Sequence, residues 1–356
     1  MRIRNYFKAT LAVAFVIGFA SCRKDNGPEP EPEPVSQGVY VLSQGNFNQN
    51  NSVLSYYSFD SKAVTENYFG AANAGANLGD LGEDIEIYGS KMYISVNGSN
   101  KVEVVNAKTA KKIATVTINS PRSIAVANGK VFVSSYTDNV YAIDTTNLSV
   151  THTIPVGKDP EGMAVVGNKL YVANSGGFEA TFANTVSVID LTTFTELKKI
   201  TVGVNPAQVI ADKYGDVYVV TKGNYAGIDP NLYVIKTTTD QAIALNIPAT
   251  GLAISGDIAY IYKANYKFST NSYDIGYLTL NVLTETPGSS FITDGTQTAI
   301  QLPYGIAVDP SSSDIYITDA KNFVSAGTVH CYSKEGKKKF SFDAAVMPAK
   351  LKFYTK

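Results

Sequence analysis

Residues able to do covalent or acid–base chemistry are sparse in this sequence. Histidine occurs twice and cysteine twice in 356 residues. Carboxylates come in two close pairs, Glu83 with Asp84 and Asp159 with Glu161, the types that hold a hard cation or move protons. His330 and Cys331 are metal-ligand types, but they are adjacent in a strand-like run, so they point to opposite sides and cannot share an ion. His152 lies in a different alternating segment. "GGF" at 176–178 has no strand-to-helix context and makes no phosphate loop. No catalytic group, metal or cofactor is assigned from these residues, and the expectation is a protein that is not an enzyme.

Recognition chemistry is better supplied. The chain has 23 tyrosines and 16 phenylalanines. Many sit with Asn, Gln, Ser and Gly in short stretches between strand-like runs: "SQGNFNQNNS" (43–52), "NGSN" (97–100), "SYTDN" (135–139), "NSGGFEATFANT" (174–185), "KGNYAGIDPN" (222–231), "KANYKFSTNSYDIG" (263–276) and "DAKNFVSAGT" (319–328). Phe47, Tyr136, Phe178, Phe182, Tyr225, Tyr266, Phe268 and Phe323 are the candidates for apolar contact. Asn48, Gln49 and Asn97 are the candidates for hydrogen bonding, since a side-chain amide both donates and accepts. That mixture is the composition of a binding surface. These loops are short of charge, so the expected ligand is neutral, large and rich in polar groups. A loop aromatic also folds back over the nearest core, and the residues alone leave that reading open.

The elements that position these loops are visible as a repeat. "SPRSIAVANGKVFVSSY" (120–136), "DPEGMAVVGNKLYVANS" (159–175) and "NPAQVIADKYGDVYVVTK" (205–222) each hold an apolar strand, a tight polar turn and a second apolar strand. Pro121, Pro160 and Pro206 are 39 and 46 residues apart, and a third and fourth strand follow in each interval. Four strands at this period are the blade of a β-propeller. The chain starts on a second-strand sequence, "GVYVLSQG" (38–45), and ends on a first-strand sequence, "MPAKLKFY" (347–354). The expected fold is therefore all-β, a seven-bladed β-propeller closed by pairing its N- and C-terminal strands. A plain β-sandwich is the alternative, and it leaves the complementary ends unexplained.

Lettered A to D outward from the axis, the strands of such a blade put every B–C loop and D–A crossover on one face. The aromatic loops then share a face. Arg122, Glu161, Gln208 and Tyr304 follow the prolines that open A strands and reach toward the axis. They either bind a ligand there or plug the channel. Glu83–Asp84 and Asp159–Glu161 fall two blades apart, with no matching carboxylate in the other crossovers, so an axial metal of the kind propeller lactonases use is not expected. A net charge of −1 with 17% charged residues leaves no footprint for nucleic acid.

Residues 1–21 read as a signal peptide: a basic start with Arg2, Arg4 and Lys8, then the apolar "LAVAFVIGF" (11–19), too short for a stable membrane span. "ASC" ending at Cys22 resembles a lipoprotein cleavage motif, with Phe19 where Leu is usual, and marks Cys22 for lipidation. An ordinary signal peptide with a chance cysteine is the alternative. Residues 22–35 form a Pro/Glu-rich tether, extended and solvated, and the propeller occupies 36–356.

"KLYVANS…NTVSVID" (169–190) resembles the YVTN-type propeller repeat of YncE-like proteins. "GVYVLSQGNFNQNNSVLSYYSFD" (38–60) is similar to the opening of Bacteroides surface lipoproteins of the BtuG type. That resemblance spans the lipoprotein signal, the tether and all seven blades. It implies a lipid-anchored protein exposed on the outer membrane. It further implies capture of cobalamin or another corrinoid, with delivery to a TonB-dependent outer-membrane transporter. A glycan-binding surface lipoprotein and a protein-docking propeller scaffold are the rival readings.

Overall fold

Each blade follows from local rules repeated along the chain. In blade 4, Pro160–Val166, Lys169–Asn174, Thr185–Asp190 and Thr195–Thr201 form strands A to D. Strand B is buried on both sides from Leu170 to Asn174, because it is sandwiched between two neighbouring blades. The A–B turns are tight. In blade 3, Asn128 and Gly129 have φ of 50° and 73°, the pair of positive values that a two-residue hairpin turn requires. The C strands of blades 2, 3, 4 and 6 end on Asn106, Asp144, Asp190 and Asn281, whose side chains cap the next turn. Asp144 accepts from the amides of Thr146 and Asn147, and Asp190 from those of Thr192 and Thr193.

The computed structural model describes residues 35–356, and within them seven four-stranded antiparallel sheets form the propeller expected from the sequence. The signal peptide, Cys22 and the tether, apart from Val35, lie outside the described residues. Blade 1 is the split blade. Its A strand is Pro348–Thr355 and its B strand is Ser36–Ser43, paired with Val39 opposite Phe353 and Val41 opposite Leu351. Val35 and Lys356 exchange backbone hydrogen bonds at 3.0 Å, so the ring is fastened at its last residue. Closure removes the open edges that strand arrays otherwise present.

The core lies between blades rather than within them. Tyr171, Val186 and Val188 of blade 4 pack on Val209, Val217 and Val219 of blade 5. The tyrosine repeated near the start of strand B has a purpose in this packing. Tyr40 donates to the Ala107 carbonyl of blade 2 at 2.6 Å, and Tyr218 to the Val282 carbonyl of blade 6 at 3.0 Å. In these two blades the ring fills the interface while the hydroxyl ties it to the neighbouring blade, whereas the Tyr93 and Tyr171 hydroxyls are buried without a partner among the described residues.

Two regions differ from the sequence reading. "KANYKFSTNSYDIG" is mostly strand: blade 6 extends Ile258–Lys267 and Ser272–Asn281 into a paired arm, leaving only 268–271 as its turn. Tyr, Asn and Ser serve an exposed hairpin as well as a loop, so composition did not separate the two. The crossover from blade 1 to blade 2 holds a short helix, Tyr68–Ala72, whose Tyr68 ring packs on Tyr40 and Tyr56 at 5.9 and 5.2 Å.

Candidate functional site

Buried aspartates set the loops in place. Asp80 accepts the amide of Asn48 at 2.9 Å, and Asp159 accepts that of Phe178 at 2.8 Å. Asp159 is thus a loop anchor, not a free carboxylate for a metal. In blade 5, Asn224 accepts the amides of Ala226 and Ile228. Gly223, with φ of 69°, lies where a Cβ would fall 1.9 Å from the Ile228 carbonyl oxygen, so the loop closes only around glycine.

With the loops held, the aromatics form a rim. Phe178, Phe268 and Phe47 are 79%, 70% and 67% exposed, and these are the exposed phenylalanines of the described residues. Val324 and Ile228 are exposed on the same face. The rings meet edge to face: Tyr136 with Phe178 at 5.1 Å, Phe182 with Tyr225 at 5.9 Å, Tyr266 with Phe268 at 4.9 Å, and Tyr304 with Phe323 at 5.7 Å. The first two pairs join blades 3 to 4 and 4 to 5. Asn46 donates to the Phe323 carbonyl at 2.9 Å and joins blade 1 to blade 7. Seven of the eight aromatic candidates are therefore held in ring pairs along one rim, one of them with Tyr304, while Phe47 stands at the tip of the blade 1 loop with no ring partner among the described residues. The rim is apolar at its crests, where Phe47, Phe178 and Phe268 stand exposed.

The amide candidates divide. Asn48 and Gln49 are exposed at the tip of the blade 1 loop. Asn97 donates to the Pro121 carbonyl at 3.2 Å and bridges blades 2 and 3. Gln208 spends both ends of its amide on Leu252, donating to its carbonyl at 2.9 Å and accepting from its amide at 3.0 Å. Its position fits a clamp between blades 5 and 6 rather than a ligand contact.

Beneath the rim the axis, unlike the loops, is rich in charge. Arg122 pairs with Glu83 of blade 2 and with Glu161 of blade 4, the latter at 3.0 Å. Its guanidinium also lies 4.7 Å from the centre of the Tyr136 ring, and the Tyr136 hydroxyl donates to Glu161. Gln44 donates to Glu83 at 2.9 Å and accepts from Tyr304 at 2.7 Å. One connected chain thus runs Tyr304–Gln44–Glu83–Arg122–Glu161–Tyr136 across blades 7, 1, 2, 3 and 4. Further along the axis Lys350 pairs with Asp84 at 3.4 Å, and Lys352 with Glu86. Of these groups Glu83, Asp84, Glu86, Arg122, Glu161, Tyr304 and Lys350 line an axial cavity of 470 Å³, with Lys222 on its wall.

Electrostatics separates the two carboxylates that share Arg122. Burial opposes ionisation of Glu161, but Arg122, Lys222 and the Tyr136 hydrogen bond outweigh it and hold its carboxyl below the usual range. At Glu83 burial wins over Arg122, and the nearby Glu161 charge adds to it, so its carboxyl is raised. Glu161 is the settled counterion and Glu83 the member that protonates first. Gln44 and Lys222 escaped the sequence reading. Gln44 stood in plain view in the opening "SQG", and Lys222 was the lone basic residue before "GNYAGID".

His330 is buried in the C strand of blade 7, and neither ring nitrogen has a hydrogen-bond partner among the described residues. His152 is exposed on blade 3 and stacks on Phe194 at 3.8 Å. Both are away from the axis.

The family model described as "Domain of unknown function (DUF5074)" matches residues 37–353. No curated protein matches the chain. Many solved structures resemble it in fold, two of them as follows. A quinonprotein alcohol dehydrogenase-like protein from Bacteroides thetaiotaomicron superposes with a TM-score of 0.66 at 15% identity, over 90% of this chain and 79% of that one. Hydrazine synthase from Kuenenia stuttgartiensis superposes with a TM-score of 0.58 at 18% identity, over 70% of this chain and 76% of that one. At these identities the likeness is one of fold.

Proposed function

The chain belongs to the DUF5074 family, and from that premise we propose that it is a ligand-capture propeller, not an enzyme, whose loop face takes cobalamin or a related corrinoid. The observation that carries this reading is the clustering of exposed, edge-paired phenylalanines on one face above a hydrogen-bonding floor. A corrinoid is broad and flat, with apolar ring faces and a fringe of neutral amides. The rim supplies apolar contact for its edges, and Asn48, Gln49 and loop backbone supply partners for amides. A rim already held by Asp80, Asp159 and Asn224 loses little freedom on binding, which favours affinity.

The same reading makes the protein a lipoprotein anchored through acylated Cys22. The propeller then stands on its Pro/Glu tether at the cell surface of the outer membrane and passes its ligand to a TonB-dependent transporter. These parts rest on the resemblance of residues 1–60. Equilibrium dialysis against cyanocobalamin, with a glycan panel alongside, tests the ligand. Saturable uptake of cyanocobalamin alone supports the reading. No uptake, or uptake of glycan instead, overturns it. Cys22→Ala should abolish acylation, and protease shaving of intact cells should remove the wild-type propeller. Protection until lysis would overturn surface display.

A further inference from the structure

Lys222 opens onto two spaces. It lies on the wall of the axial cavity and also lines a 160 Å³ groove between the blade 5 loop and the blade 6 arm. The ammonium makes no direct ion pair or hydrogen bond among the described residues, unlike Arg122, Lys350 and Lys352 nearby, and acts on Glu161 only through its field across the cavity. The groove is walled by Tyr225 on one side and Tyr266 on the other. Tyr225 is braced by Phe182, and Tyr266 by Phe268 and Tyr273. Asn265 and Ser269 also line it, and neither side chain has a hydrogen-bond partner among the described residues. Lys267 adds a second ammonium, 3.5 Å from Asp274, and Asp229 is the one carboxylate in the lining.

A half-buried ammonium with no direct contact partner, beside unspent amide and hydroxyl donors and between two aromatic walls, has a definite complement. We propose that the seam between blades 5 and 6 is a subsite for an anionic substituent, a carboxylate or a phosphate ester, carried on a flat group that stacks on Tyr225 or Tyr266. Lys222 anchors the anion, and Asn265 and Ser269 complete its hydrogen bonds. The subsite rests on the loop face being a ligand site, as read above, but not on the ligand being a corrinoid. It makes the rim directional: neutral groups pack on blades 7, 1, 3 and 4, and the acidic group points to blades 5 and 6.

The probes are phenyl phosphate, benzoate and the uncharged benzamide, titrated into the purified protein and followed by ligand-observed NMR. One or both anions should bind more tightly than benzamide and lose affinity as salt rises. Whichever anion binds shows which chemistry the groove prefers. Lys222→Met should weaken the anion about tenfold and leave benzamide unchanged, the usual size for a charge-assisted hydrogen bond. Lys222→Arg should restore most of the loss. Unfolding curves of both variants check that the fold is intact. Benzamide binding as well as the anions, no change with Lys222→Met, or no anion binding up to the solubility limit would each overturn the subsite. Anion binding without cyanocobalamin uptake keeps the subsite and removes the corrinoid. Cyanocobalamin uptake without an anion effect does the reverse.

Discussion

Arg122 and Glu161 meet in a forked ion pair on the propeller axis, with Nη2 3.0 Å and Nε 3.2 Å from the same carboxylate oxygen. The two residues open the A strands of adjacent blades, so the fork is also a fastening between blades 3 and 4. Truncating one partner of such a pair leaves the other charge buried. Glu161→Gln should therefore cost about 3 kcal/mol in urea unfolding. Glu83→Gln should cost less than Glu161→Gln, because burial raises the Glu83 carboxyl and its charge is held less firmly than that of Glu161. Equal costs for the two variants would show that the carboxylates are equivalent and that this division is wrong.

His330 supplies a pH test remote from the axis. Burial, with help from Lys338, lowers its pKa from 6.5 to about 4. The unfolded chain takes up a proton near pH 6.5, whereas the folded one refuses it until about pH 4. Stability is therefore full above the unfolded value and falls as the pH drops from 6.5 toward 4, by about 3 kcal/mol from this residue. His330→Leu should flatten that slope in urea midpoints measured from pH 7.5 to 4.5. A variant with the wild-type slope would show that other groups set the acid response.

The rim should carry binding energy unevenly. Phe47→Ala, Phe178→Ala, Tyr225→Ala and Phe268→Ala are clean probes, since these rings are exposed. At least two should weaken cyanocobalamin by more than about 1 kcal/mol in calorimetry. Tyr136→Ala is a poorer probe because it also frees Glu161. Alanine changes in "NAKTAKK" (106–112) and "DTTNLS" (144–149), on the opposite face, should leave affinity intact. Equal losses on both faces would defeat the assignment of the site.

Removing 347–356 takes the A strand from blade 1 and bares the edge of Ser36–Ser43. The truncated protein should melt well below the full chain or aggregate on expression. An unchanged melting temperature would contradict closure through this strand.

The blades were legible because each one states its own rules. A proline, an apolar strand, a Gly or Asp turn and a tyrosine recur locally, and no long-range information is needed to see them. The rim was legible by position only: Phe178 could be placed in a B–C loop, but not against Tyr136 of the next blade, because spacing within a blade says nothing of reach between blades. The same limit hid Arg122 between Glu83 and Glu161. All three stand at matching places in successive blades, and only three dimensions show that the middle one holds the other two. Gln208 illustrates the converse, a correctly placed axial residue whose amide is wholly occupied by Leu252.

Ser36 starts strand B of blade 1 and donates from its amide to Ser311 at 2.7 Å, while its hydroxyl donates to Asp309. Asp309 begins the A–B turn of blade 7, so Val35 departs from the side of the disc away from the aromatic loops. Val35 is therefore a point of attachment on the face opposite the aromatic loops. A bead, a sensor surface or a dye fixed at Val35 leaves the aromatic loops open. The propeller can be held at that residue with its loop face still turned to the solution.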